Sequence, residues 1–235
     1  MALMKGDMGG AAVVLATMSA LEKLDLPINV VASIPLTENM PSGSATKPGD
    51  VVTAMNGKTI EIDNTDAEAF VGRLILADAI YYTCITHKPK FLIEFSTLTG
   101  AMQVALGNVF AGVFTNSAEL YQLLEKSGKE SGDEFWKMPL DLKYLKAIKS
   151  NVADLKNVGD GNGAGSSTAA IFLSEFVPEK DGVEGVDKLS NKITEFAHVD
   201  IAGVMHNKGT VGYLGSGMTG RPTRSILELL CNLKQ

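Results

Sequence analysis

The chain has 235 residues, of which 45% are hydrophobic and 20% charged, a composition typical of a globular enzyme with one sizeable core. Its formal net charge of −6 argues against a nucleic-acid partner, because phosphate binding requires a basic surface. No stretch reaches the roughly 18 apolar residues of a membrane span, and the N-terminal residues lack the pattern of a signal peptide, so we expect a cytoplasmic protein without membrane contact.

The first part of the chain predicts a helix, a buried strand and a hairpin. Apolar residues recur at helical spacing from Gly9 to Leu24, and Pro27 cannot continue that helix. The run 28–35 is apolar and rich in β-branched residues, which predicts a strand buried on both faces. Asn56 and Gly57 separate two short apolar runs and predict a hairpin turn.

The remainder of the chain repeats the alternation of helices and strands. Further helices are predicted over residues 73–87, 118–128, 142–148, 167–177 and 222–233, and further strands over residues 91–95, 109–115 and 195–201. The glycine-rich stretch 159–165 lacks the Gly-Lys-Ser/Thr ending of a phosphate-binding loop, so we interpret it as a flexible loop. This alternation implies an α/β fold, in which a layered sheet carries helices on both faces.

A short acidic run, Asp63-Asn64-Thr65-Asp66-Ala67-Glu68, precedes the second predicted helix. In an extended segment, residues two apart point to the same side, so Asp66 and Glu68 would project into one space. Two oxygen donors that share a divalent cation require this arrangement. Taken alone, the run also fits an acidic loop tip at a helix start. Asp7, ahead of Met8-Gly9-Gly10, has the alternative role of a helix N-cap.

Eight motifs follow one another along the chain. They are MKGDMGGAA at 4–12, ENMPSG at 38–43, KPGDVV at 47–52, NGKTI at 56–60, DNTDAE at 63–68, STLTGA at 96–101, DIAGVM at 200–205 and GMTGRPTR at 217–224. In this order and spacing they resemble the catalytic domain of the leucyl aminopeptidase (cytosol aminopeptidase) family over essentially the whole chain. The resemblance implies an aminopeptidase/phosphorylase-like catalytic domain with a central mixed, largely parallel sheet, and a single domain over residues 1–235.

The resemblance also implies a metal site. The family carries two divalent ions, Mn or Zn or else Mg, that activate a bridging water for attack on a peptide carbonyl. Asp7, Asp66 and Glu68 match the family's metal ligands residue by residue. Arg73 matches a catalytic arginine that helps to hold a bicarbonate-like anion, which relays the proton of the water. The alternative for Arg73 is a solvent-exposed residue in the first turn of a helix.

The resemblance also implies six residues that contact the substrate. Apolar residues that line the pocket for the first side chain of the peptide are matched by Met4, Ala202 and Met205. A loop whose backbone groups hold the peptide main chain is matched by Thr97, Leu98 and Gly100. For a methionine considered singly, core filling is the alternative role.

The histidines and cysteines carry no metal-binding motif. His87, His198 and His206 match no metal position of the family, and His87 is expected to be a solvated residue in the last turn of a helix. Cys84 and Cys231 lie far apart in apolar helical contexts, which predicts buried free thiols.

Two departures from the family pattern bear on activity. Residues 69–71 are additional between Glu68 and Gly72-Arg73. Inside a helix they would turn later side chains by about 60°, whereas a bulged loop would preserve both flanks. The core contacts of the following helix favour the loop. The family's remaining lysine and aspartate ligands lie upstream of the first motif, so the resemblance implies a domain incomplete at its N-terminal side, without its first strands and with impaired activity.

The leading hypothesis is a metal-dependent aminopeptidase that removes apolar, leucine-like residues from the N-terminus of peptides. The expected partners are peptide substrates and further copies of the chain, since the family is hexameric. The alternative is a non-catalytic fragment that serves as an assembly or regulatory subunit of a hexameric aminopeptidase. A DNA-binding accessory role is disfavoured by the acidic charge.

Overall fold

The computed structural model describes residues 4–38, 40–65, 71–182, 187–209 and 212–233. A 3-10 turn, Met4–Met8, precedes the first helix. The helices are α1 Gly9–Leu24, α2 Val71–His87, α3 Gly100–Leu106, α4 Ala118–Ser131, α5 Gly165–Ser174 and α6 Thr223–Asn232. The strands are β1 Val51–Thr53, β2 Thr59–Glu61, β3 Phe91–Ser96, β4 Ala111–Thr115, β5 Phe135–Lys137, β6 Leu155–Lys156, β7 Glu195–Asp200, β8 His206–Asn207 and β9 Gly217–Met218.

The main sheet has four strands in the order β3-β7-β4-β5. β3 and β7 are parallel and in register from Phe91↔Glu195 to Ser96↔Asp200, whereas β4 runs antiparallel to β7 and parallel to β5. Because parallel strands end at the same edge of a sheet, the loops that follow Ser96 and Asp200 emerge side by side. A smaller sheet pairs β1 with β2 antiparallel and β2 with β6 parallel.

Helices cover both faces of the main sheet, as predicted. Leu92 and Phe196 pack on one face with buried residues of α2 and α5. Val113 and Val199 pack on the other face with buried residues of α1, α4 and α6. The expected mixed α/β sheet is therefore confirmed. Within the described ranges, no helix has both the length and the apolar character needed to cross a membrane.

Several elements form where local sequence signals placed them. α1 has the predicted bounds, and the Asn-Gly hairpin joins β1 to β2, with Gly57 at a φ of 86° that favours glycine. α4 begins where Ser117 Oγ accepts a hydrogen bond from Leu120 N over 3.0 Å, and Gly132, in the left-handed conformation, caps its C-terminal end. The predicted helix over 142–148 is a 3-10 helix.

The predicted strand over 28–35 is wrong. This run forms no strand, and Val31 is 55% exposed. A β-strand requires a neighbour for its backbone groups, and no strand among the described residues pairs with this run. Val31 consequently faces solvent, and the apolar side chains of Leu36 and Met40, in the stretch that follows, are exposed as well.

A buried carboxylate anchors the C-terminal part of the chain to the body of the domain. Asp133 is 2% exposed and accepts hydrogen bonds from Arg221 Nε over 3.1 Å and from Arg224 Nη2 over 2.7 Å. Arg221 also donates to the backbone carbonyl of Val109 over 2.7 Å. The arginines of the last sequence motif therefore hold the loop before β4 and the start of α6 together.

Close packing of α1 on β3 requires glycine at position 10. A Cβ atom there would lie 2.0 Å from the carbonyl oxygen of Phe95, a distance at which the helix must move. The turn Met4–Met8 is continuous with α1, so the same contact determines how near that turn comes to the edge of the sheet.

We expect Gly10→Ala to lower the free energy of unfolding by about 3 kcal/mol, because overpacking against backbone cannot be relieved by a side-chain rotation. Gly72→Ala in α2 is the matched control, since nothing lies within 4 Å of a Cβ there. In the control, the better helix propensity of alanine should raise stability by about 0.5–1 kcal/mol. Urea denaturation measures both variants, and equal stabilities would contradict the packing argument.

Candidate active site

The turn that carries Asp7 lies against both loops at the edge of the main sheet. Thr97 Oγ1, in the loop after β3, donates a hydrogen bond to the backbone carbonyl of Asp7 over 3.3 Å. A Cβ at Gly6 would lie 3.3 Å from Met205 Sδ, in the loop after β7. Three separate segments of the chain therefore meet here. The N-cap of α1 is Met8, so the alternative role of Asp7 as that N-cap is wrong.

Asp200 joins the two loops through its buried carboxylate. Its Oδ2 accepts a hydrogen bond from Thr99 Oγ1 over 2.6 Å, and its Oδ1 accepts one from Ala202 N over 3.1 Å. Thr99 Oγ1 in turn accepts from Met102 N over 3.1 Å and caps α3. Burial raises the pKa of Asp200 above its ordinary value, although His198 and these hydrogen bonds oppose the shift. The loops are thus fixed relative to each other.

Arg73 is buried, at 6% exposure, and the alternative of a solvent-exposed first-turn arginine is wrong. Its Nη1 donates to the backbone carbonyl of Asn157 over 2.5 Å. Burial lowers the pKa of Arg73 to about 10, while the charge of Asp200 acts in the opposite direction. The guanidinium therefore stays protonated at neutral pH, and the charge of the carboxylate that joins the loops favours this state.

A buried ion pair lies beneath this edge of the sheet. His198 Nδ1 and Glu94 Oε2 are hydrogen bonded, and the imidazole stacks on Phe114 with ring centroids 5.6 Å apart. Burial lowers the pKa of His198, but the charge and hydrogen bond of Glu94 outweigh that effect and raise it above the ordinary value. The carboxylate of Glu94 therefore favours the protonated form of His198.

The structure brings some of the predicted substrate contacts together. Ala202 and Met205 line a cavity of about 310 Å³ with polar residues that include Gln103 and His206. Leu98 is 4% exposed and belongs to the hydrophobic core, so only its backbone groups are available to a peptide. Gly100 begins α3, and Met4 begins the turn that carries Asp7.

Two of the predicted metal ligands, Asp66 and Glu68, lie outside the described residues. Among the residues that the structure does describe, no group of three or more His, Cys, Asp or Glu side chains could hold a metal ion. Of the predicted trio, only Asp7 can be placed, on the turn at the edge of the sheet.

The remaining candidate residues follow their predicted roles in part. His87 is exposed in the last turn of α2, as expected, and Cys84 is a buried free thiol. Cys231, also a free thiol, is only partly buried.

Sequence reasoning missed three residues that organise the site: Thr99, Asn157 and Asp200. Thr99 and Asp200 lie in the motifs at 96–101 and 200–205. Each has a polar side chain near the carboxyl end of a predicted strand, where binding sites of α/β sheets commonly form, and this position could have marked both residues. Asn157 lies in no motif, and no local pattern marks it.

Comparisons with known proteins match nearly the whole chain to a known enzyme family. The model of the cytosol aminopeptidase family, catalytic domain, matches residues 1–227. The chain is 52% identical to the cytosol aminopeptidase of Sus scrofa, covering 100% of this chain and 42% of that protein. It is 48% identical to the cytosol aminopeptidase of Encephalitozoon cuniculi, covering 97% of this chain and 43% of that protein. The chain therefore spans about two-fifths of the length of these curated relatives.

Solved structures give the same result for the fold. A tomato leucine aminopeptidase mutant is similar with a TM-score of 0.80 and 40% identity, over 98% of this chain and 41% of that chain. The bottromycin maturation enzyme BotP in complex with Mn is similar with a TM-score of 0.85 and 35% identity, over 97% of this chain and 47% of that chain. The predicted fold class and the family resemblance are both confirmed.

The raised pKa of His198 gives an expected pH dependence of stability. A group whose pKa is higher in the folded than in the unfolded state adds stability that is complete below its unfolded pKa of about 6.5 and is lost as the pH rises through the folded value. We therefore expect thermal stability to fall above about pH 6.5, and His198→Gln to flatten this fall. His87→Gln, at an exposed position, is the control. Identical slopes of Tm against pH in all three proteins would contradict the assignment.

Proposed function

The chain belongs to the cytosol aminopeptidase family, and we propose that it acts as a metal-dependent aminopeptidase that releases apolar, leucine-like residues from the N-terminus of peptides. The observation that carries this proposal is the meeting of three segments at one sheet edge. Thr97 Oγ1 contacts the backbone of Asp7, and Met205 packs on Gly6. The turn that carries the proposed metal ligand Asp7 therefore adjoins the loops after β3 and β7, which contain the proposed substrate contacts.

The donor set fits divalent metal ions. Asp7, Asp66 and Glu68 supply carboxylate oxygens, which suit Mn and Mg and are accepted by Zn. The related enzyme BotP has been solved in complex with Mn. These three residues would hold the two ions of the proposed site. When bound, such a pair supplies a water of lowered pKa and stabilises the oxyanion that develops on the peptide carbonyl.

The residues of this chain would bind and orient the peptide around that centre. Ala202 and Met205 would receive the first side chain in the cavity that they line. The backbone of the loop 97–100 would hold the peptide main chain, in a position fixed by the bond between Thr99 and Asp200. The protonated guanidinium of Arg73 would attract a bicarbonate-like anion, which is the role of its counterpart in the family.

We further propose a single catalytic domain over residues 1–235, a cytoplasmic location and a hexameric assembly. The names of the curated relatives as cytosol aminopeptidases support the location. The exposure of Leu36 (71%) and Met40 (67%) supports an assembly, because a partner chain that covered these apolar side chains would remove them from water. The same observation favours a second candidate, a non-catalytic assembly or regulatory subunit of a hexameric aminopeptidase.

We expect Asp7→Asn to reduce the hydrolysis of a leucine anilide in the presence of Mn²⁺ by about 100-fold, because a ligand charge is lost while the size of the side chain is kept. Removal of the metal with a chelator should have an effect of similar size in the unmodified chain. Steady-state rates measure both. Asp25→Asn is the matched control, since Asp25 is the exposed C-cap of the same helix, in the left-handed conformation that asparagine tolerates.

Equal rates in the unmodified chain and in Asp7→Asn would remove the catalytic proposal. The second candidate would then be tested by size-exclusion chromatography with light scattering, in the presence of a full-length family member. Co-elution with that partner would support the assembly role, and a separate monomer peak would count against it.

A further inference from the structure

The cavity of about 310 Å³ at the edge of the main sheet has one apolar side and one polar side. The apolar side is formed by residues of the loop after β7, which are Ala202, Gly203 and Met205. The polar side chains around the cavity are Gln103, Asn108, His206 and Lys208. A Cβ at Gly6 would lie 3.3 Å from Met205 Sδ, so the apolar side adjoins the turn that carries Asp7.

Backbone contacts hold the walls of this cavity together. A Cβ at Gly203 would lie 2.0 Å from the carbonyl oxygen of Gly107, so the loop after β7 is in direct contact with the end of α3. The carbonyl of Asn108 accepts a hydrogen bond from Arg221 Nη1 over 3.0 Å, and Arg221 is itself buried. The shape of the cavity is therefore set by the fold.

The short strand β8 places His206 and Lys208 on the same side. Side chains alternate along an extended segment, so residues 206 and 208 point one way and Asn207 points the other way. Asn207 is 1% exposed, and its Nδ2 donates to the carbonyls of Leu214 over 2.8 Å and Gly215 over 3.2 Å. This buried amide fixes β8, and the two basic side chains line the cavity.

The polar side of the cavity carries basic groups without acidic partners. The residues that line it, all of them in the described part of the chain, include no carboxylate. Within the same described ranges, neither Lys208 nor His206 forms an ion pair. An ammonium group has three donors and no acceptor, and an imidazole ring offers at least one N–H donor. The complementary ligand group is a carboxylate, which accepts charge-assisted hydrogen bonds from such donors.

We propose that this cavity binds a carboxylate at the end of an aliphatic stem, with Lys208 and His206 as the donors and with Ala202 and Met205 against the stem. A peptide offers this chemistry in two places: the side chain of a glutamate as its first residue, or the C-terminal carboxylate of a short peptide. That the ligand is a peptide rests on the proposed function, whereas the carboxylate site rests on the cavity itself. Either source makes charge, as well as apolar surface, a determinant of which peptides are bound.

Nuclear magnetic resonance of the chain with isotope-labelled alanine and methionine methyl groups tests this site without turnover. The metal-free chain is titrated with two matched pairs of dipeptides, and the methyl signals of Ala202 and Met205 report binding. The first pair, Glu-Ala amide and Gln-Ala amide, differs only in the charge of the first side chain. The second pair, Leu-Ala and Leu-Ala amide, differs only in the charge at the C-terminus.

We expect the charged member of one pair to bind about fivefold more tightly than its neutral partner at low ionic strength, because hydrogen bonds to charged groups are stronger, although solvent screens an exposed lysine. Lys208→Met keeps the apolar stem and should abolish this preference without changing the affinity for the neutral dipeptide. Lys208 is exposed, so the substitution leaves the core intact. Lys149→Met, at an exposed position outside the cavity, is the matched control with the same loss of charge and should keep the preference.

The pair that shows the preference identifies the source of the carboxylate. Equal affinities within both pairs, no shift of the two methyl signals, or a preference that survives in Lys208→Met would overturn the carboxylate site. An equal loss of preference in Lys149→Met would overturn it as well, because the effect would then reflect net charge alone. Hydrolysis of the leucine anilide tests the proposed function separately. A chain that binds these dipeptides through Lys208 but shows no Mn²⁺-dependent hydrolysis would keep the carboxylate site and lose the catalytic proposal.

Discussion

The parallel, in-register pairing of β3 with β7 is the constraint on which the candidate site depends. Because both strands run in the same direction from Phe91↔Glu195 to Ser96↔Asp200, the loops that follow them emerge at one edge of the sheet. Antiparallel strands would place these loops at opposite ends. The packing of Gly10 on the carbonyl of Phe95 then brings α1, and with it the turn of Asp7, to the same edge. Candidate site residues that are distant in sequence are adjacent for this reason.

Buried charges beneath that edge keep the loops in one arrangement. The group contains two acidic side chains, Glu94 and Asp200, and two basic side chains, His198 and Arg73, and all four are buried. The desolvation of buried charges offsets much of their mutual attraction, so such a group adds little net stability, whereas the loss of one member leaves another uncompensated. The main effect of this group is to fix the positions of the two loops. The carboxylate of Asp200 can satisfy Thr99 and Ala202 together only when both loops are in place.

Local signals were sufficient to predict much of the fold, and contacts between distant residues explain what was missed. α1 and the hairpin were predicted because helical spacing and an Asn-Gly turn act over a few residues. The run 28–35 was assigned to a strand because β-branched composition favours one, but composition does not show whether a partner strand exists. The roles of Asp200 and Asn157 depend on partners 101 and 94 positions away, and no periodicity reports such pairs.

The placement of Arg73 shows how the buried face of α2 determines one part of the candidate site. Arg73 shares a face of α2 with Ala77, Ile80 and Cys84, at the spacing of four, three and four residues that defines one side of a helix. All four side chains are buried, so rotating the helix to follow a change in the preceding segment would expose this entire face. The hydrophobic core therefore fixes the direction of the guanidinium, and Asn157 fixes its end point. The position of the arginine is therefore set by its buried helix face and by its bond to Asn157, both of which lie outside the acidic run.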